Sequence, residues 1–125
     1  MSNLFALVVE DNEEQADILA KALQAAGFET EIVETGDAAI ARLAVMVPDL
    51  VVLDLNLPGV SGTSILLHIR SDARLTGTRV IIDTVEPHLT ALLRDEADVV
   101  LTKPIDFIQL RDTAARLCSA TLPGE

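Results

Sequence analysis

An acidic pair, Glu10-Asp11, a lone Asp54, a hydroxyl at Thr84 and an ammonium at Lys103 each end an aliphatic run in this 125-residue chain. Singly, each has an ordinary explanation. The acidic pair could favour the positive end of a following helix. Asp54 could cap a turn, Thr84 could be a β-former at a strand end, and Lys103-Pro104 could be a charge beside a turn. As a set they could do chemistry. Clustered carboxylates repel one another, so a cation must lower the local potential. Oxygen ligands with open positions suit Mg²⁺, which keeps waters and binds through one or two carboxylates plus phosphate oxygens. A carboxylate can also attack phosphorus and form an acyl phosphate. The transferred group carries charge on oxygens that need a metal, a cation and a hydrogen-bond donor. Mg²⁺, Lys103 and Thr84 could supply one of each, with Asp54 as the nucleophile.

For that to happen, the fold must bring these residues together. Apolar runs suited to strands alternate with stretches of helical period. Strands are expected at Leu4–Val9, Glu29–Val33, Leu50–Leu55, Arg79–Thr84 and Val99–Thr102. Helices are expected at Asn12–Ala26 (inward face Ile18, Leu19, Ala22, Leu23; closed by Gly27) and at Asp37–Val45 (Ile40, Leu43). Others are expected at Ser61–Ser71 (N-cap Ser61; Ile65, Leu66, Ile69), Pro87–Arg94 and Ile105–Ser119. Strict βα alternation predicts an α/β, doubly wound parallel sheet with helices on both faces. In such a sheet ligands sit beyond the carboxyl ends of the strands. The candidate residues stand at the ends of strands one, three, four and five.

Bulk composition agrees. Half the residues are hydrophobic but only 2% are aromatic, so the core must be aliphatic, as in buried parallel strands. The formal charge of −11 argues against binding a phosphate backbone. Residues 1–69 hold eleven of the 20 acids and two of the nine bases, so the excess is concentrated there. The single Cys118 excludes an internal disulfide and reads as a small apolar residue of the last helix. The opening apolar run lacks a basic flank, and no stretch approaches the roughly 18 residues of a membrane span. A cytoplasmic protein is expected. His68 and His88 have no His or Cys neighbour at metal spacing, and Arg70 and Arg74 suit the end of the third helix.

The stretches VVEDN (Val8–Asn12), VVLDLNLPGVSG (Val51–Gly62), Asp83-Thr84 and LTKPIDFIQL (Leu101–Leu110) resemble the receiver domains of two-component response regulators. The likeness runs over essentially the whole chain. It implies a flavodoxin-like five-stranded sheet of order 2-1-3-4-5, with a receiver domain over residues 1–121 and a frayed tail at 122–125. By that resemblance Asp54 takes phosphate from a histidine kinase or histidine phosphotransfer protein. Asp11 ligates Mg²⁺ directly, Glu10 acts through water, Asp54 contributes its carboxylate, and Asn56 adds its backbone carbonyl. Lys103 binds the phosphoryl group, Thr84 is the switch hydroxyl, and Asn56 and Glu86 sit where dephosphorylation is tuned.

Three positions depart from that family's pattern. Val85 follows the switch Thr where Ala or Gly is usual, which would narrow access to Asp54. Val100 stands three residues before Lys103 where Tyr or Phe is usual, so ring rotation is absent there. Glu96 replaces a Gly before the fifth strand. Thr84 to Lys103 spans 19 positions, close to one helical turn fewer than usual. That predicts a short fourth helix and a remodelled signalling face.

The expectation is a stand-alone phosphoacceptor, not a turnover enzyme. It would contact an unknown protein target, with phosphorylation-dependent dimerisation open. A pseudo-receiver that signals without phosphate is the alternative kept alive by Val85 and Val100. An aspartyl-phosphate phosphohydrolase is disfavoured because Asn56 stands where its second Asp would be, and a dinucleotide-binding reading fails because no Gly-x-Gly-x-x-Gly follows the first strand.

Overall fold

The computed structural model describes residues 4–57, 60–85 and 95–118. Its sheet is five-stranded, parallel and ordered 2-1-3-4-5, as the resemblance implies. The strands are β1 (Leu4–Val9), β2 (Phe28–Val33), β3 (Leu50–Asp54), β4 (Arg79–Thr84) and β5 (Val99–Thr102). The helices are α1 (Glu13–Ala25), α2 (Gly36–Leu43), α3 (Gly62–Ser71) and α4 (Phe107–Cys118). The expected helix at 87–94, with His88, and the tail at 122–125 lie outside the described residues. No helix among the described residues is long and apolar enough to cross a membrane.

Each helix starts where a side chain can accept an orphan N–H. Asn12 accepts from the Gln15 N–H at 2.9 Å, Thr35 from Ala38 at 3.0 Å, Ser61 from Ser64 at 3.1 Å and Asp106 from Gln109 at 2.8 Å. After α1 the chain turns through Gly27 at φ +99°, a left-handed conformation that a residue without Cβ adopts freely.

Alternation along the strands splits the core in two. Leu7, Val9, Val51, Leu53, Val80 and Ile82 face α2 and α3, meeting Leu43, Ile65, Leu66 and Ile69. Ala6, Val8, Leu50, Val52, Ile81 and Leu101 face α1 and α4, meeting Leu19, Leu23, Leu110 and Cys118. Cys118 is therefore a core residue. Ile18, expected to face inward, is 49% exposed, because the buried stripe of α1 runs through Ala16, Leu19, Ala20 and Leu23.

Two contacts fix the ends of this sheet. Arg70 on α3 donates to the Glu96 carbonyl at 2.6 Å, to the Thr78 carbonyl at 2.9 Å and to Asp98 at 3.1 Å. Asp98 also accepts from the Val80 N–H at 2.7 Å, so Arg70 ties α3 to the start of both β4 and β5. At the opposite end, Gly62 opens α3 directly against the turn after β3. A Cβ there would lie 2.6 Å from the Asp54 carbonyl oxygen and 2.6 Å from the Leu55 Cα. Gly62→Ala is therefore expected to cost ~1–3 kcal/mol through overpacking, measured by denaturant unfolding. An unchanged midpoint would show that α3 and this turn separate freely.

Candidate functional site

The same alternation assembles the site. Asp54 continues the Leu50–Val52 side of β3, the side that faces α1 and α4. Asp83 is its register partner on β4, and Leu101 on β5 is the partner of Asp83. In parallel pairing, register partners project to the same face. Glu10 continues the Ala6–Val8 parity just past β1, and Lys103 continues the Leu101 parity just past β5. Three acids and one ammonium thus meet at the carboxyl ends of β1, β3, β4 and β5.

Their oxygens are close. One carboxylate oxygen from each of Glu10, Asp54 and Asp83 lies within 4.8 Å of the others, and all three residues are buried. The Lys103 Nζ sits 3.2 Å from Asp54 Oδ1 and 3.8 Å from Glu10 Oε1. Asp54 Oδ1 also accepts the Asn56 N–H at 2.8 Å, so the turn after β3 orients the carboxylate. Glu10 Oε2 accepts the Asn12 N–H at 3.1 Å, which joins it to the cap of α1. Three buried oxygens have no hydrogen-bond donor among the described residues: Glu10 Oε1 and both oxygens of Asp83.

The electrostatics follow from that crowding. Burial pushes the Glu10 carboxyl up to about 7 against the pull of the Asn12 N–H, and repulsion from Asp54 adds to the rise. Burial likewise raises Asp83 to about 6, with Lys103 opposing and Asp54 adding. For Lys103, burial alone would lower the ammonium. Attraction to Asp83, Asp54 and Glu10 outweighs it and raises the group. Orphaned, buried oxygens around one ammonium suit a hard cation with oxygen ligands, so the residues present fit Mg²⁺.

The expected residues are not all equivalent. Thr84 is buried at the end of β4, and its carbonyl accepts the Lys103 N–H at 2.8 Å. Asp11 is exposed and stands outside the carboxylate group, while its neighbour Glu10 is inside it. Asn56 is exposed apart from its N–H contact. Glu86 lies outside the described residues. Val85 is 56% exposed, Val100 is half-buried against the α2/α3 side of the core, and the Glu96 carbonyl is held by Arg70.

The sequence reading noted Asp83 only beside Thr84 and gave it no role at the site. It was legible only as a charged residue in an otherwise aliphatic strand, Val80-Ile81-Ile82-Asp83. Assigning it to the Asp54 side needs the β3–β4 register, which the sequence does not display.

Comparison with known proteins agrees with this geometry. Residues 6–115 match the family model of the response regulator receiver domain. The sensory transduction protein RegX3 of Mycobacterium tuberculosis is 39% identical over 104 residues, covering 83% of this chain and 46% of that protein. The chain thus spans about half the length of the curated relatives it matches. Among solved structures, a CheY-like response regulator receiver domain from Methylobacillus flagellatus superposes with a TM-score of 0.83 at 26% identity, covering 93% of this chain and 99% of that one. The signal receiver domain of a signal transduction histidine kinase from Syntrophus aciditrophicus gives 0.85 at 28% identity, covering 99% and 96%. An acid-lined rim on a sheet of order 2-1-3-4-5, matched along most of its length by this family, makes the chain a member of the response regulator receiver domain family.

Proposed function

We propose that the protein is a Mg²⁺-dependent phosphoacceptor. It takes a phosphoryl group onto Asp54 from a histidine kinase or histidine phosphotransfer protein in the cytoplasm, and it signals through protein–protein contacts. The observation that supports this best is the setting of the Asp54 carboxylate. It is buried at the end of β3, with Oδ1 held by the Asn56 N–H and the Lys103 ammonium. Among the described residues both contacts fall on Oδ1, which leaves Oδ2 as the attacking oxygen.

Attack on the phosphorus of a phosphohistidine forms the O–P bond and breaks the P–N bond. The electron pair of the broken bond leaves with the imidazole nitrogen. Lys103 then pairs with a phosphoryl oxygen, and the Thr84 hydroxyl donates to another. Asp11, Asp54 and the Asn56 carbonyl would hold Mg²⁺ directly, with Glu10 acting through water. When bound, Mg²⁺ supplies neutralisation of the phosphoryl charge. Asn56 and Glu86 govern how readily water reaches the acyl phosphate. The chain promotes its own phosphorylation and dephosphorylation and turns over no separate substrate.

Two outcomes follow. Incubated with Mg²⁺ and a small phosphodonor, the wild type gains one phosphoryl group by intact mass and Asp54→Asn gains none. No gain by the wild type, from the donor or from a panel of histidine kinases, would point to a receiver that signals without phosphate. The second concerns pH in a chelator. Glu10 rises from 4.5 in the unfolded chain to about 7 in the fold, so the native state holds that proton more tightly. Its contribution is intact below pH 4.5 and is lost as pH climbs from there to about 7. Thermal unfolding of the cation-free protein should fall over that window, and Glu10→Gln should flatten the fall. An equally steep fall in Glu10→Gln would place the dependence elsewhere.

A further inference from the structure

Asp83 has no part in the chemistry above. It is the residue before Thr84, 1% exposed, and both of its carboxylate oxygens lack a hydrogen-bond donor among the described residues. Its strand neighbours Val80, Ile81 and Ile82 are fully buried aliphatic side chains. An aliphatic residue at this position would pack without loss, whereas a buried carboxylate without a donor is costly. Lys103 attracts Asp83 without resolving this, because its ion pairs run to Asp54 and Glu10 and none of its N–H groups bonds Asp83. Yet Asp83 is not isolated. Register with Asp54 puts it on the same face of the sheet, and an oxygen of each lies within 4.8 Å of the other and of Glu10.

We infer that Asp83 is an additional protein ligand of the divalent cation at this site, one that tightens cation binding before any phosphoryl group arrives. Charge and donor count both favour this. With all three acids ionised, three carboxylates against one ammonium leave two negative charges, which one divalent cation balances. The three donorless oxygens, Glu10 Oε1 and the pair on Asp83, would gain a partner in the same event. Removing Asp83 leaves a site of two buried carboxylates and Lys103, with one negative charge in excess and a weaker hold on a divalent ion. The inference rests on reading the acidic rim as a cation site, and the experiment separates the two.

The test is calorimetric titration of Mg²⁺ into wild type, Asp83→Asn and Asp83→Val at fixed pH, with phosphoryl gain by intact mass followed in the same Mg²⁺ series. Wild type should bind Mg²⁺ about tenfold more tightly than either variant, a loss of the size seen when groups supporting a metal are removed. In a chelator, Asp83→Val should unfold at a higher temperature than wild type, because a buried charge has gone, and its rise in melting temperature with Mg²⁺ should be smaller. Asp83→Asn, nearly isosteric, covers the case in which Asp83→Val does not fold. Equal affinity in wild type and variants would overturn the role of Asp83 while leaving the cation site standing. So would an Asp83→Val protein destabilised in chelator with unchanged binding, since that is the mark of a structural residue. Absence of Mg²⁺ binding by the wild type would overturn both, and phosphoryl gain in that case would still report on Asp54 separately.

Discussion

One ammonium serves three buried acids. Lys103 lies 3.2 Å from Asp54 and 3.8 Å from Glu10, while Asp83 beside them has no hydrogen-bond donor among the described residues. A folded chain keeps such a group only if the rest of the structure holds it in place. Here the aliphatic sheet does so, with strands buried on both faces and helices over each. Parallel pairing leaves no freedom in which face the acids take. Once β3 and β4 are in register, Asp54 and Asp83 are neighbours, and once β1 and β5 flank them, Glu10 and Lys103 complete the rim. Stability and chemistry are therefore opposed at this site, as expected where a fold stores an electrostatic cost for function.

The turn after β3 turns that frustrated site into a directed one. The Asn56 N–H holds one oxygen of Asp54, and Gly62 lets α3 begin against the Asp54 backbone. Far from the rim, Arg70 and Asp98 bind α3 to the entry of β4 and β5. The strand that ends in Thr84 and the strand that leads to Lys103 therefore share an anchor at their other ends. Val100 stands in β5, half-buried against the α2/α3 side of the core.

Much of this was legible in the sequence. Aliphatic runs punctuated by Gly, Ser and Asp marked β1, β3, β4 and β5 closely, and Ser61 announced the start of α3. Joint placement of Glu10, Asp54, Thr84 and Lys103 at strand ends pointed to one rim because the topology of alternating βα units allows few alternatives. What failed were properties that depend on tertiary partners. Ile18 looked like a core residue by type, yet the α1 stripe is set by how close α4 and the sheet approach, and it runs through Ala16 and Ala20. Arg70 does stand in the last turn of α3, but its three acceptors, in segments up to 28 residues away, could not be read from that. Asp83 was hidden in plain view, since period-2 alternation assigns a face only when the register is known.

The most direct measurement asks which carboxylate receives phosphorus. Protein saturated with Mg²⁺ can be treated briefly with a small phosphodonor, trapped with borohydride, which reduces an acyl phosphate to an alcohol, and mapped by peptide mass spectrometry. Reduction at Asp54, and at neither Glu10 nor Asp83, is the result predicted from the way Asn56 and Lys103 hold its carboxylate. Reduction at one of the other two acids, or at none, would contradict the account.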